Sequence, residues 1–368
     1  MKRIKAFLTL GLLVCCLAAL AKVTIVVEKN SANPVEGATV FSNSGRIIGQ
    51  TNGNGAVEVP QGDFPITVRC MGYDAVTGGK DADTLRLSPR EYAMDTVTVS
   101  AKDRPVTRVI GFVREYTTGA TTTDTTYTFN EYMAELFLAP HKTKGYKDGD
   151  SHARIRNKRS YQRIAHANGT DSISKGGEDA LAMVEFLLYM PNSFSVPERM
   201  KKGATVDQIP GKYAPKSWIT NNGRLFKVKM DPLSDYKDHK LSPWILKLMG
   251  FSMDMTKIDI NYIYRSHADT TAYLPNELLE ASVAASVTGN GKWIKKIYKT
   301  KDPILMLTFM EFYPVDVSRV TIDEYKELRD SKAVIPWADS PSVPPLQPAY
   351  EELKRRCESL PQTTKAPE

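Results

Sequence analysis

Apolar residues recur at every second position through much of the chain, the period of a half-buried strand. Between residues 22 and about 100, "VTIVVE", "GATVF", "RIIGQT", "AVEVP", "ITVRCMGY" and "TLRLS" follow one another at short intervals. Turn formers separate them: Asn33-Pro34, Ser44-Gly45, "TNGNG", Gln61-Gly62 and Gly78-Gly79. Short strands at regular spacing predict a β-sandwich. After Arg104-Pro105 the pattern becomes mixed. "RVIGFVREY", "ARIRNKRSYQRIA", "RLFKVKM", "KIDINYIYR", "GKWIKKIYKT" and "ILMLTFMEFYPV" read as strands. Several alternate basic with apolar residues, as a sheet with one wet face does. "FNEYMAELFLA", "EDALAMVEFLLYM", "SPWILKLMG" and "TIDEYKELRDS" read as helices, with Ser242-Pro243 and Thr321 as starts. "TTGATTTDTTYT" reads as a polar, mobile loop.

The expected fold class is therefore mainly β or α+β. A sandwich spans residues 22–102, a linker 103–107, and a larger α+β domain with an antiparallel sheet 108–332. Residues 333–368 form a proline-rich extended segment through Pro336, Pro341, Pro344 and Pro345. It ends in a short helix whose stripe is Tyr350, Leu353, Cys357 and Leu360.

The first 21 residues change the picture. Lys2, Arg3 and Lys5 precede an apolar run from Ala6 to Leu20 that closes on Ala19-Leu20-Ala21, the form of a cleaved secretory signal. Val14 and Cys15 precede the two leader cysteines where a lipidation motif needs a small residue, so a lipoprotein is not expected. No later stretch reads as a membrane-spanning helix. The formal charge of +7 falls to +4 when Lys2, Arg3 and Lys5 leave. So small an excess gives no support to nucleic-acid binding. Cys70 and Cys357 remain; an oxidising compartment permits them to pair. Their apolar neighbours favour two small core residues instead.

"NPVEGATV" followed by "GQTNGNGAVEVPQGDFPITVRCMGYDA" resembles the carboxypeptidase-regulatory-like domain of exported Bacteroidota proteins. The resemblance is carried by Pro34, Gly37, Ala38, Val40, Thr51, Gly55, Val57, Gly62, Val68, Gly72 and Tyr73. Asn52 stands where the family has Asp, and Ala56-Val57 replaces an aromatic pair. The resemblance implies a transthyretin-like sandwich of seven strands without catalytic residues. "MDTVTVSAKDRP" resembles the segment after this domain in TonB-dependent receptors, which implies a partner strand at Asp95, Thr96, Val97, Thr98 and Val99. The same residues also read as the last sandwich strand. The stretch that remains is too short for a receptor's closing barrel. "DPLSDYKDHKLSPWILKLMGFSMDM" resembles uncharacterised domains fused to this sandwich and implies no activity.

Catalytic motifs are sparse. None of His141, His152, His166, His239 and His267 has a glutamate three residues on, and HExxH and GxSxG are absent. Ser172–Lys175 and Ser234–Lys237 match SxxK, a pattern expected by chance. Asp148, Asp150 and His152 alternate in "KDGDSHAR" as cation ligands do, and as a plain turn does. Arg154, Arg156, Lys158, Arg159 and Arg163 form a basic strand that suits an anionic glycan or lipid headgroups, or a solvated strand face. Asp-Ser/Thr pairs resemble the O-glycosylation acceptors of exported Bacteroidota proteins and imply Thr84, Thr96, Thr125, Ser172 and Thr270 as acceptors. No cofactor or metal is implied. The expectation is a non-catalytic accessory protein of the cell envelope, periplasmic or associated with the outer membrane. Its partner would be an outer-membrane protein or a surface glycan. The alternative is an exported hydrolase using acids such as Glu115, Asp231, Asp254 and Asp259.

Overall fold

A computed structural model describes residues 21–92, 103–140, 142–146, 153–176, 183–189, 193–241, 252–267, 270–289, 302–337 and 343–360. The chain divides into two compact units between Arg90 and Glu91. Arg90 still belongs to the first unit, donating its N–H to Gly72 O at 2.9 Å and its Nη2 to Tyr73 O at 2.8 Å. Tyr92 belongs to the second, where its hydroxyl donates to Glu280 and its carbonyl accepts from Arg265. Asp95, Thr96, Val97, Thr98 and Val99 lie outside the described residues, as do "SPWILKLMG", "GKWIKKIYKT" and the trio Asp148, Asp150 and His152.

The first unit holds β1 (Ala21–Glu28), β2 (Thr39–Phe41), β3 (Ile47–Gln50), β4 (Ala56–Pro60), β5 (Ile66–Arg69), β6 (Val76–Gly78) and β7 (Thr84–Leu87). They form a three-stranded sheet in the order β4-β1-β7 and a four-stranded sheet in the order β3-β2-β5-β6. Alternating apolar residues of both meet in one core: Val26, Val57, Val59, Leu85 and Leu87 with Val40, Ile66 and Val68. Gly55 has φ +70°, and a Cβ there would come within 2.3 Å of Val26 O. The position therefore requires glycine. Asn52 holds the same turn, its Oδ1 accepting the N–H groups of Asn54 and Ala56 at 2.9 and 3.0 Å. An amide oxygen thus does what a carboxylate would do there.

The second unit is built on one antiparallel sheet of ten strands. Its strands are β8 (Val106–Ala120), β9 (Thr125–Leu138), β10 (Arg154–Ala165), β11 (Asp171–Lys175), β13 (Val206–Pro210), β14 (Pro215–Asn221), β15 (Leu225–Met230), β16 (Met253–Arg265), β18 (Leu278–Gly289) and β19 (Ile304–Val320). The order is β11-β10-β9-β8-β19-β18-β16-β15-β14-β13. A separate two-stranded pair joins β12 (Phe194–Ser195) to β17 (Ala272–Tyr273). Helices α1 (Glu198–Lys201), α2 (Ile322–Asp330) and α3 (Pro348–Glu358) and the 3-10 helices Met183–Tyr189 and Pro275–Glu277 complete the described part of the unit.

"FNEYMAELFLA", which reads as a helix, is strand β9. Its residues favour helices singly, yet they alternate: Tyr132, Ala134 and Leu136 point to one face, Phe129, Glu131, Met133 and Glu135 to the other. Pairing with β8 on one side and β10 on the other overrides the local preference. Only Thr121–Asp124 remain of the expected polar loop, because Thr117–Ala120 finish β8 and Thr125 begins β9.

One face of the sheet is apolar. Val109, Val113, Tyr132, Ile260, Tyr262, Val283, Met310 and Phe312 pack there against Met183, Val184 and Leu187 of the 3-10 helix and against Phe194 and Met200. Gly111 makes room for Phe312, whose ring lies 2.3 Å from where a Cβ would stand. The opposite face is aromatic and charged. Over β8–β11 it is covered by α2, residues 331–337, residues 343–347 and α3.

Candidate functional site

The strand pairing lines up one transverse row of polar side chains on that second face. It runs Gln208, Trp218, Lys229, Asn261, Ser282, Glu311, Arg114, Glu131, Arg159, from β13 to β10. Two positions along, the row is aromatic: Phe309, Tyr116, Phe129 and Tyr161. The two ends of the polar row differ, and that difference defines the candidate site.

At the β8–β11 end, the charges are matched within the chain. Buried Glu135 accepts from Arg108 Nε at 2.6 Å and from Arg156 Nη2 at 2.6 Å. Arg156 also donates to Leu328 O at 2.7 Å and to Ser331 O, satisfying carbonyls at the end of α2. Glu131 accepts from Lys354 of α3 at 2.6 Å, and Arg114 Nη1 donates to Pro344 O at 2.6 Å. Tyr161 donates to Glu358 at 2.8 Å; burial, reinforced by that carboxylate, pushes its phenol up. Tyr350 of α3 sits on the aromatic row, 4.9 Å from Tyr116 and 5.2 Å from Phe129.

The basic strand read as an anionic-surface contact lies in this closed end. Arg156 is bound as above, Arg159 stacks on Trp337 at 4.3 Å and Arg163 on Tyr127 at 4.2 Å. Arg154 lies beside Asp330, whose carboxyl is held low chiefly by Arg329, with Arg154 adding to it. Lys158 is exposed at the rim of the apolar face, where partial desolvation lowers its ammonium and Glu115 partly restores it.

The β13–β15 end is different. Residues 198–229 carry Arg199, Lys201, Lys202, Lys212, Lys216, Arg224, Lys227 and Lys229 against two acids, Glu198 and Asp207. All but Lys227 and Lys229 are exposed. Aromatic rings interleave with the cations: Lys229 lies 5.1 Å over Trp218, Lys212 5.1 Å over Tyr213, and Tyr236 is exposed nearby in the chain. Acids balance part of the charge: Asp207 lies 3.4 Å from Arg199, Glu198 2.6 Å from Lys201, Asp235 4.0 Å from Lys216, and Asp259 3.8 Å from Lys229 and 3.3 Å from Lys257. Sequence reasoning missed this end because its cations are spread over a helix, two strands and the turns beside them. Only their density between residues 198 and 229 was visible.

The four acids considered for hydrolysis serve separate places. Glu115 is buried on the apolar face, accepting from Tyr132 Oη at 2.9 Å and Met183 N at 3.2 Å. Burial raises its pKa. Asp259 is on the opposite face. Asp254 pairs with Lys240 at 2.7 Å. Asp231 accepts from Leu233 N at 2.9 Å and meets His239 Nε2 at 2.6 Å. Among the described residues, no three His, Cys, Asp or Glu side chains are placed to hold a metal ion.

Neither SxxK match brings its serine and lysine together. Strand alternation puts Ser172 and Lys175 on opposite faces, and Lys175 donates to Glu358 O and Leu360 O. Ser234 is buried while Lys237 is exposed. Of the acceptor residues, Thr84 and Ser172 are exposed on β7 and β11, Thr125 and Thr270 are half-buried, and Thr96 lies outside the described residues. Cys70 and Cys357 are free thiols, the second fully buried. No helix among the described residues is long and apolar enough to cross a membrane. No protein-family model matches the sequence, and no curated protein is significantly similar to it.

Proposed function

We propose that the chain is an exported accessory protein of the cell envelope that holds an anionic surface polymer at the basic, aromatic end of its large sheet. The observation that carries this reading is the contrast between the two ends of the large sheet. Most cations at the β8–β11 end are engaged by acids, carbonyls or rings of the chain, whereas the eight between residues 198 and 229 outnumber the four acids that pair with them, Glu198, Asp207, Asp235 and Asp259, and six of the eight are exposed. Aromatic rings beside cations suit an acidic glycan: the rings stack on sugar faces and the cations meet carboxylates or sulfates. The leader-like N-terminus and the likeness of the first unit to a carboxypeptidase-regulatory-like domain support export and a role without chemistry for that unit.

The test is retention on dextran sulfate beads against neutral dextran. The variant Lys212→Glu/Lys216→Glu/Arg224→Glu should lose retention and elute at lower salt. A control of equal net charge, Lys29→Glu/Lys80→Glu/Arg86→Glu in the first unit, should bind as wild type does. Equal losses in both variants would reduce the binding to net charge and overturn the assignment.

A further inference from the structure

Three polar residues meet at the tips of two neighbouring hairpins, two from one hairpin and the third about forty residues earlier in the chain. Asp124 lies in the turn between β8 and β9, His166 follows the end of β10, and Ser172 is the second residue of β11. Register brings them together. Ala165 pairs with Thr125 on one side and with Asp171 on the other, so the next groups along converge on His166. His166 Nδ1 is 3.2 Å from Asp124 Oδ1, and its Nε2 is 2.9 Å from Ser172 Oγ.

The surrounding backbone fixes this arrangement. His166 donates its N–H to Thr170 O at 2.9 Å, and Gly169 donates to His166 O at 3.0 Å. Thr121 Oγ1 accepts the Asp124 N–H at 2.9 Å. With a carboxylate at Nδ1, the ring carries its proton there, and Nε2 is left to accept from the serine hydroxyl. This is the order of groups that activates a serine: orienting carboxylate, base, nucleophile. Ser172 is exposed, and His166 and Asp124 are half-exposed, so solvent-borne molecules reach all three. Ser172 shares its face with Ile164, and one pair further with Gln162 and Ser174, an outer floor of mostly short polar side chains.

We propose that Ser172 is a nucleophile toward carboxylic esters, that His166 is its general base and that Asp124 orients His166. Ser172 Oγ attacks the ester carbonyl carbon as its proton passes to His166 Nε2. The carbon–oxygen bond to the alcohol breaks, and the departing oxygen takes that proton. Water then attacks the acyl-serine with His166 again as base, releasing the carboxylic acid and regenerating Ser172. The exposed position favours small acyl groups carried at the end or side of a longer chain.

A purely structural tie between the turns would hold the same geometry without making Ser172 reactive. Full-length protein treated with biotinylated ethoxy-fluorophosphonate and digested with trypsin separates the two. The label should appear on Ser172, within the peptide of residues 164–175, and Ser172→Ala should abolish it. In His166→Asn, which removes the base, labelling should slow at least about 100-fold. Asp124→Asn should also slow it while leaving the melting temperature near wild type, which keeps the test valid if His166→Asn fails to fold. Absence of label on that peptide in wild type overturns the proposal. So does labelling at an undiminished rate in whichever of the two variants folds.

Discussion

Two buried carboxylates show how one residue type takes opposite roles on one sheet. Glu135 is 1% exposed and lies between the guanidinium groups of Arg108 and Arg156. Removing one partner of such a buried set leaves charge uncompensated, which costs roughly 3–5 kcal/mol. Glu135→Ala should lower the unfolding free energy by about that amount in urea titrations, and a loss under ~1 kcal/mol would show the arginines to be hydrated. Glu115 faces the apolar core, with only polar hydrogen bonds and the more distant Lys158 to offset burial, so its pKa is raised from 4.5. An acid with a raised folded pKa keeps its proton longer in the folded state. Its contribution to stability is therefore present below the unfolded value and is lost as pH rises through the folded value. Glu115→Gln removes that titration while retaining the shape. The variant should gain stability relative to wild type between pH 4 and pH 8, read as a difference in melting temperature that widens with pH. A difference independent of pH would mean that Glu115 ionises normally.

Elements were legible where the local signal and the tertiary environment agree. Helix α2 is one case: Thr321 accepts from Glu324 N at 3.2 Å and Glu324 reaches back to Thr321 N at 2.7 Å, a capping box plain in "TIDEYKELRDS". Strands β8, β10, β15, β16 and β19 showed their alternation in advance. Strand β9 did not, since its alanine, leucine, methionine and glutamate content speaks for a helix and only its neighbours decide otherwise. The candidate sites were less legible still. Asp124 and Ser172 stood out for their neighbours' composition, and His166 only as a histidine without a motif. Their meeting depends on hairpin register, as does the row from Gln208 to Arg159. Helix α3 was legible as a stripe, and the structure supplies the surface it covers. Tyr350, 1% exposed between Tyr116 and Phe129, anchors it. Truncating so buried an aromatic costs about 3–5 kcal/mol, more than the exposed Arg356–Asp171 pair can restore. Tyr350→Ala should therefore release α3 locally, seen as faster tryptic cleavage after Lys354 and Arg355 under native conditions. Unchanged cleavage would show that the ion pairs hold the helix without the ring.

At the scale of the whole molecule, two cores of separate composition imply two separable stabilities and a division of labour. The first unit buries Val26, Val40, Val59, Ile66, Val68 and Leu87 against one another, and its turns are closed by its own groups, such as Thr51 Oγ1 donating to Val35 O at 2.6 Å. A domain of this size buries a modest fraction of its surface and is marginal, though many fold alone. Residues 21–90 expressed by themselves should therefore give a strand-type circular dichroism spectrum and melt in one cooperative transition. The basic, aromatic end belongs wholly to the second unit, between residues 198 and 236. Residues 91–368 alone should then retain binding to dextran sulfate with an affinity within about threefold of the full chain and the same dependence on salt, because the counterions released are set by the cations in contact. Loss of binding on removing the first unit, with the second still folded by its melting transition, would place the polymer contact elsewhere and assign the sandwich more than a spacer's part.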